Sequence, residues 1–123
     1  ETYSPSLTER IKIGIYLANK YKDSENLFLE KLYDIVGAGV NISESVPSAI
    51  SIAYYAQDPN KCALLCANLA GDTDTIGAMA TAICGAFKGI DYIKEEYIES
   101  LNKANDIDFD SYISILMNGR TCI

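Results

Sequence analysis

Polar and apolar positions along the chain follow the repeat of amphipathic helices over most of its length. Near the start, Leu7, Ile11 and Ile15 recur every four residues and so lie on one face of a helix. Ser6 and Glu9 stand at the spacing of a capping box, which marks the beginning of that helix. No stretch of useful length alternates between apolar and polar residues as a half-buried strand does. The pattern predicts an all-α fold.

Glycine and proline divide the chain into seven expected helices. Gly37 and Gly39 end the second, and Asp58-Pro59 is a strong start for the fourth, with Asp as the N-cap and Pro at the first position. Pro47 is compatible with the third helix if it lies in the first turn. The expected helices cover about residues 6–21, 25–36, 44–57, 58–70, 74–88, 93–104 and 109–118.

The fifth of these segments is apolar on every side. A helix of that kind is typically buried, so we expect it to be the central helix of the fold. Gly77, Thr81 and Gly85 form a strip of small residues along it, which would let a neighbouring helix approach closely.

The length and composition fit an ordered chain that does not enter a membrane. The 123 residues suffice for one domain or for part of a larger one, and 49% of them are hydrophobic. The longest run without a charge, residues 75–87, is shorter than the ~20 residues that span a bilayer. The first residues do not have the basic, apolar and small-residue pattern of a signal sequence. We therefore expect a soluble, cytoplasmic protein, and the first residue, Glu1, suggests a processed or truncated chain.

The charged residues exclude several classes of function. The net charge is −7, from 17 acidic and 10 basic residues, and the basic residues are scattered, so nucleic-acid binding is not expected. An anionic substrate would need a bound cation. Histidine is absent, which excludes histidine triads, histidine-ligated zinc and an imidazole base. Acid–base chemistry must rest on carboxylates, metal-bound water or a partner.

The four cysteines do not form a recognisable metal motif. Cys62 and Cys66 lie four residues apart on one helix face, and Cys84 and Cys122 stand alone. No pair has the spacing of a zinc site, so small core residues are favoured over thiolate ligands. A reducing compartment fits this usage best.

Asp72 and Asp74 stand out because they interrupt the least polar region of the chain. No lysine or arginine lies within ten positions of either. Buried carboxylates are costly unless they are paired, hydrogen-bonded or bound to a metal. In a regular helix the two side chains would point ~200° apart. They can converge only in a turn, which Gly71 permits.

Two interpretations of this acidic pair remain open on the residues alone. If the turn forms, Asp72, Asp74 and the hydroxyl of Thr75 aim oxygens at one point, a ligand set that suits Mg²⁺, Mn²⁺ or Ca²⁺. Alternatively, one of the acids simply caps the following helix. Capping needs one acid, so the second acid is the surplus to explain.

Two sequence blocks resemble the ADP-ribosylglycohydrolase family. The block Gly71-Asp-Thr-Asp-Thr-Ile-Gly-Ala78 is similar to the C-terminal metal motif of that family. The block Gly37-Ala-Gly-Val-Asn-Ile-Ser-Glu-Ser-Val-Pro-Ser-Ala-Ile50 resembles its glycine loop and the helix start that follows. The resemblance covers roughly residues 7–90.

The resemblance implies an all-α, multi-helix orthogonal bundle with a binuclear Mg²⁺ site, sometimes occupied by Mn²⁺. Asp72, Asp74 and Thr75 match its C-terminal metal ligands, and Gly39 and Val40 match loop positions that line the ADP-ribose pocket. The implied reaction is hydrolysis of the glycosidic bond at the ribose C1″ of ADP-ribosylated protein or a related ADP-ribosyl compound. The metals would orient the ribose hydroxyls and a water.

The chain also departs from the family pattern. It has no Asp-Asp pair and so lacks the N-terminal acidic ligand cluster of the family. We therefore expect residues 1–123 to be the C-terminal portion of one such domain, and the expected partner is a missing N-terminal portion. The catalytic residue is not identified: Glu44 matches a helix-start position, which favours a hydrogen-bonding role over that of a general base.

A second class of function uses the same fold without catalysis. Members of the family serve as lens crystallins, so a non-enzymatic structural or interaction protein on the same helices is the alternative. The intact Asp72-Thr-Asp-Thr75 cluster favours the enzyme, because a structural protein would not need it.

Overall fold

The computed structural model describes residues 5–105 and 107–118, and it confirms the all-α prediction. Within these ranges no residue lies in a strand. A short 3₁₀-helix, Ile90–Tyr92, follows the fifth helix. The α-helices are α1 (Leu7–Lys20), α2 (Glu25–Ile35), α3 (Ile42–Ala56), α4 (Pro59–Asn68), α5 (Thr73–Lys88), α6 (Glu95–Asn105) and α7 (Phe109–Asn118).

The chain divides into two compact units, residues 1–93 and 94–123. The first contains α1 to α5, and the second contains α6 and α7, neither of which buries a residue. None of the helices in the described ranges is long and apolar enough to cross a bilayer.

The centre of the first unit is α3, so the expectation that α5 is central is wrong. Eight of the fifteen residues of α3 are buried, against three of the sixteen in α5. The outer face of α5 is open: Ile83 and Phe87 are 46% and 69% exposed. An apolar segment can be buried on every side. How much of its surface is buried depends on which distant parts of the chain pack against it.

The close helix contact also lies elsewhere than expected. A Cβ added at Gly85 would meet nothing within 4 Å, and one at Gly77 would lie 3.5 Å from the Cβ of Cys66, an ordinary contact. In contrast, a Cβ at Gly14 of α1 would clash with the hydroxyl of Ser51 in α3. The absent side chain at Gly14 is therefore what lets α1 and α3 pack together.

Pro47 lies in the second turn of α3, because the helix begins at Ile42 and not near residue 44. Proline has no N–H, so the carbonyl of Ser43, four residues earlier, loses its helical partner. Arg10 replaces it: Nη1 donates to the Ser43 carbonyl at 3.0 Å and to the Val36 carbonyl at 2.7 Å. One guanidinium thus joins α1 to the end of α2 and the start of α3.

The predicted core role of the cysteines is confirmed where the structure describes them. Cys62, Cys66 and Cys84 are buried free thiols, and Cys122 lies outside the described residues. A hydrogen bond with Cys66 and burial raise the pKa of the Cys62 thiol. Burial raises the pKa of the Cys84 thiol. Both thiols therefore stay protonated at neutral pH and pack as small apolar groups.

The Gly14 contact gives a stability prediction. Gly14→Ala should lower the free energy of unfolding by about 1–3 kcal/mol, because the methyl group has to displace Ser51. Gly85→Ala is the matched control: its methyl group enters open space, and alanine favours a helix over glycine by about 1 kcal/mol. Urea unfolding of the two variants should shift in opposite directions. Equal shifts would show that the α1–α3 contact is loose.

A second prediction concerns Arg10. Arg10→Met should destabilise the chain by about 1.5–3 kcal/mol, because two carbonyl groups lose a charged donor. Lys12→Met, which removes an exposed ion pair with Glu9, should cost less than about 1 kcal/mol. Thermal unfolding measures both. If the two variants unfold together, Arg10 is not what compensates Pro47.

Candidate metal centre

The turn that precedes α5 requires a glycine for two separate reasons. Gly71 has φ +75°, in the left-handed region, and Ala70 before it has φ +68°. A Cβ at Gly71 would also run into the carbonyl group of Ala38. The bare backbone brings this turn against the loop of residues 37–41, and the N–H of Asp72 donates to the Ala38 carbonyl at 2.7 Å.

Asp72 occupies the N-cap position of α5 without capping it. Its side chain accepts no capping hydrogen bond. Asp58, at the same position of α4, does cap: its Oδ1 accepts from the N–H of Lys61 at 2.9 Å. The capping interpretation therefore does not account for Asp72, whose carboxylate is left for another purpose.

The two acids converge, as the turn hypothesis predicted. Asp72 has φ −83° and ψ 62°, outside the helical region, so the backbone there is a turn. Hydrogen bonding with the Asp72 side chain and with the N–H groups of Thr75 and of Asp74 itself lowers the pKa of the Asp74 carboxyl. None of the ion pairs in the described part of the chain involves either acid.

The acids are less buried than the sequence suggested. Asp72 is half-buried, and Asp74 and Thr75 are exposed. Water can solvate such groups, so burial alone does not require a cation here. The expectation of buried charges was wrong because it took the apolar neighbours in sequence for neighbours in space.

The donor set suits a hard cation, although it is not a complete site. Two carboxylates and the Thr75 hydroxyl at one helix start are oxygen ligands of the kind that Mg²⁺ and Mn²⁺ prefer. Over residues 5–105 and 107–118, no three side chains of the acidic or cysteine type form a metal-binding group. The arrangement offers one side of a coordination shell.

The loop of residues 37–41, which contains Gly37 and Gly39, lies directly beside this turn. Ala38, which accepts the hydrogen bond from Asp72, is followed by the two residues matched to the substrate pocket, Gly39 and Val40. The Val40 side chain is 80% exposed, whereas the N–H of Gly39 is occupied by Oε2 of Glu44 at 2.9 Å. Glu44 therefore has the hydrogen-bonding role that its helix-start position favoured.

Two supporting residues were missed by the sequence analysis. Ser48, fully buried in α3, donates from Oγ to the Gly37 carbonyl at 2.6 Å. Arg10 holds the adjoining Val36 carbonyl. A serine among the apolar residues of a central helix was the available signal for Ser48. Nothing in the sequence pattern connects Arg10 with a loop that begins 27 residues later.

Comparison with known proteins covers nearly the whole chain. The family model described as ADP-ribosylglycohydrolase matches residues 3–120. The uncharacterized protein YegU of Escherichia coli K12 is 48% identical over 120 residues, which are 97% of this chain and 36% of that protein. The ADP-ribosylhydrolase ARH3 of Homo sapiens is 30% identical over 97 residues, 70% of this chain and 27% of that protein.

A further relative is similar to this chain to about the same extent as the human protein. The ADP-ribosylhydrolase ARH3 of Danio rerio is 29% identical over 107 residues, which are 76% of this chain and 29% of that protein. The chain thus spans about a third of the length of these curated relatives. No solved structure matches it. The match to the family model over residues 3–120 shows that the chain belongs to the ADP-ribosylglycohydrolase family.

Proposed function

We propose that this chain is part of a magnesium-dependent hydrolase that cleaves the glycosidic bond of ADP-ribosylated protein or a related ADP-ribosyl compound. Asp72, Asp74 and Thr75 would supply the C-terminal metal ligands. The observation that carries the proposal is that Asp72 stands at an N-cap, leaves the helix uncapped and turns its carboxyl group towards Asp74. The ADP-ribosylhydrolase relatives support the reaction class.

The chain's own residues would bind and position the reactants. Asp72, Asp74 and Thr75 would hold a Mg²⁺, which would supply Lewis acidity and a fixed charge to orient the ribose hydroxyls and a water. Asp72 and Asp74 contribute negative charge at the helix start, where no described ion pair neutralises them. Gly39 and Val40 would form the neighbouring wall of the ADP-ribose pocket. The general base is not assigned to any residue of this chain.

The active unit would need a further, N-terminal portion of the domain. A binuclear site requires ligands from more than one direction, whereas this turn offers three donors from one. The outer face of α5 carries exposed Ile83 and Phe87, and Ile90 in the 3₁₀-helix that follows is 59% exposed. Exposed apolar side chains that cluster on one surface are typical of a contact with another segment or a partner. We propose that a longer parent protein supplies the cover and the second set of ligands.

The alternative is a non-enzymatic structural or interaction protein on the same helices. The exposed apolar side chains of α5 and of α7, such as Phe87 and Leu116, would then serve a partner. This alternative leaves Asp72 without a role, since in the described structure its side chain neither accepts a capping bond nor forms an ion pair.

The metal assignment is tested by calorimetric titration of Mg²⁺ into the full-length parent. Asp72→Asn should bind Mg²⁺ at least about tenfold more weakly than wild type. Mutation of a residue that only hydrogen-bonds to a metal ligand already weakens metal binding by about that factor, and loss of a ligand should cost no less. Asp58→Asn is the control, since asparagine also caps helices and Asp58 lies outside the site. Equal affinity of all three proteins would refute the assignment.

The isolated chain should be catalytically silent, because it supplies only one side of the site. The assay is release of ADP-ribose from ADP-ribosylated arginine and serine peptides with Mg²⁺. It is run on this chain, on the parent, and on a mixture of this chain with the remaining portion. The parent and the mixture should turn over. Turnover by the chain alone at a rate near that of the parent would show that the domain is already complete.

A further inference from the structure

The carboxylate of Glu44 is built into the glycine loop, which we define as residues 37–41. Glu44 is the third residue of α3, where a capping box would direct its side chain to the N–H of the N-cap residue, Asn41. Instead, Oε2 accepts from the N–H of Gly39, two residues further back, at 2.9 Å. The backbone N–H of Glu44 donates to the Asn41 carbonyl at 2.8 Å. Glu44 therefore holds the loop at two points.

The loop has room for this carboxylate because two of its residues lack side chains. A Cβ at Gly37 or at Gly39 would lie 2.7 Å from Oε2 of Glu44, closer than real Cβ atoms approach. Gly37 also has φ +95°, which favours glycine independently. The glycines thus serve an internal purpose, which is to seat the carboxylate of Glu44.

Three neighbouring residues of the loop are each fixed by a different residue, two of them in α3 and one at the start of α5. The Gly37 carbonyl accepts from Ser48, the Ala38 carbonyl accepts from Asp72, and the Gly39 N–H donates to Glu44. The bond that Glu44 accepts from Gly39 lies next to Val40, which is 80% exposed. Without it, Gly39 and Val40 would be free to move relative to Asp72.

We propose that Glu44 is a positioning residue for the ADP-ribosyl substrate, which fixes Gly39 and Val40 relative to Asp72 and Asp74; this inference rests on the proposed function. Because the Gly39 N–H is already occupied, the loop meets the substrate through the Val40 side chain and the adjoining backbone. Oε2 of Glu44 is committed to that N–H inside the loop, so the geometry favours positioning over a general-base role.

The test compares three variants in the full-length parent: Glu44→Ala, Glu44→Gln and the exposed control Glu99→Ala. Glu44→Ala should raise KM about tenfold or more, the effect of losing a hydrogen bond to a charged group. Its kcat and its Mg²⁺ affinity should stay close to wild type. Glu44→Gln keeps an acceptor oxygen and should restore KM. Hydrogen exchange at the Gly39 amide should accelerate in Glu44→Ala and not in Glu44→Gln.

The outcomes that overturn the inference are distinct from one another. A loss of kcat in Glu44→Gln equal to that in Glu44→Ala would identify a general base. If the kinetic values of Glu44→Ala match those of Glu99→Ala, Glu44 has no role in substrate binding. If Glu44→Ala lowers the Mg²⁺ affinity and the melting temperature as well as raising KM, its role is merely structural. If wild-type parent neither binds ADP-ribose nor releases it from the peptides, the proposed function itself has failed, and this inference fails with it.

Discussion

The site depends on one backbone hydrogen bond, from the N–H of Asp72 to the carbonyl of Ala38. It joins the start of α5 to the loop before α3, and only a glycine at position 71 lets the two backbones approach closely enough. Asp72 is the N-cap of α5 and has a non-helical ψ of 62°. That conformation brings its carboxyl group to Asp74, which a continuous helix would have kept on the opposite side.

The loop that receives this bond is itself held by polar groups from α3. Ser48 and Glu44 fix the residues on either side of Ala38, and Arg10 fixes the carbonyl group just before the loop. Burying a polar group is favourable only when its partners are present. Among the described residues no buried side-chain oxygen or nitrogen lacks one. The polar groups of the central helix therefore build the wall of the candidate site and keep α3 stable.

Local signals predicted the elements well, and long-range contacts account for what was missed. The capping bonds of Ser6 and Asp58 appear where the sequence placed them, and the all-α fold follows from the helical repeat. The predicted start of α3 was wrong because Arg10, distant in sequence, supplies the hydrogen-bond donor that Pro47 removes. The prediction that α5 is the central helix was wrong because α5 is apolar all round, whereas the described chain covers only one side of it. The turn and its acids were found because glycine and paired carboxylates are visible in the sequence itself.

The central claim is that the turn before α5 binds a divalent cation, and anomalous diffraction from crystals of the full-length parent grown with Mn²⁺ tests it most directly. The account predicts a manganese peak within the roughly 2.0–2.6 Å that separates hard divalent cations from their oxygen ligands, beside carboxylate oxygens of Asp72 and Asp74 and the Thr75 hydroxyl. Manganese bound elsewhere in the protein, with only water beside Asp72 and Asp74, would contradict it.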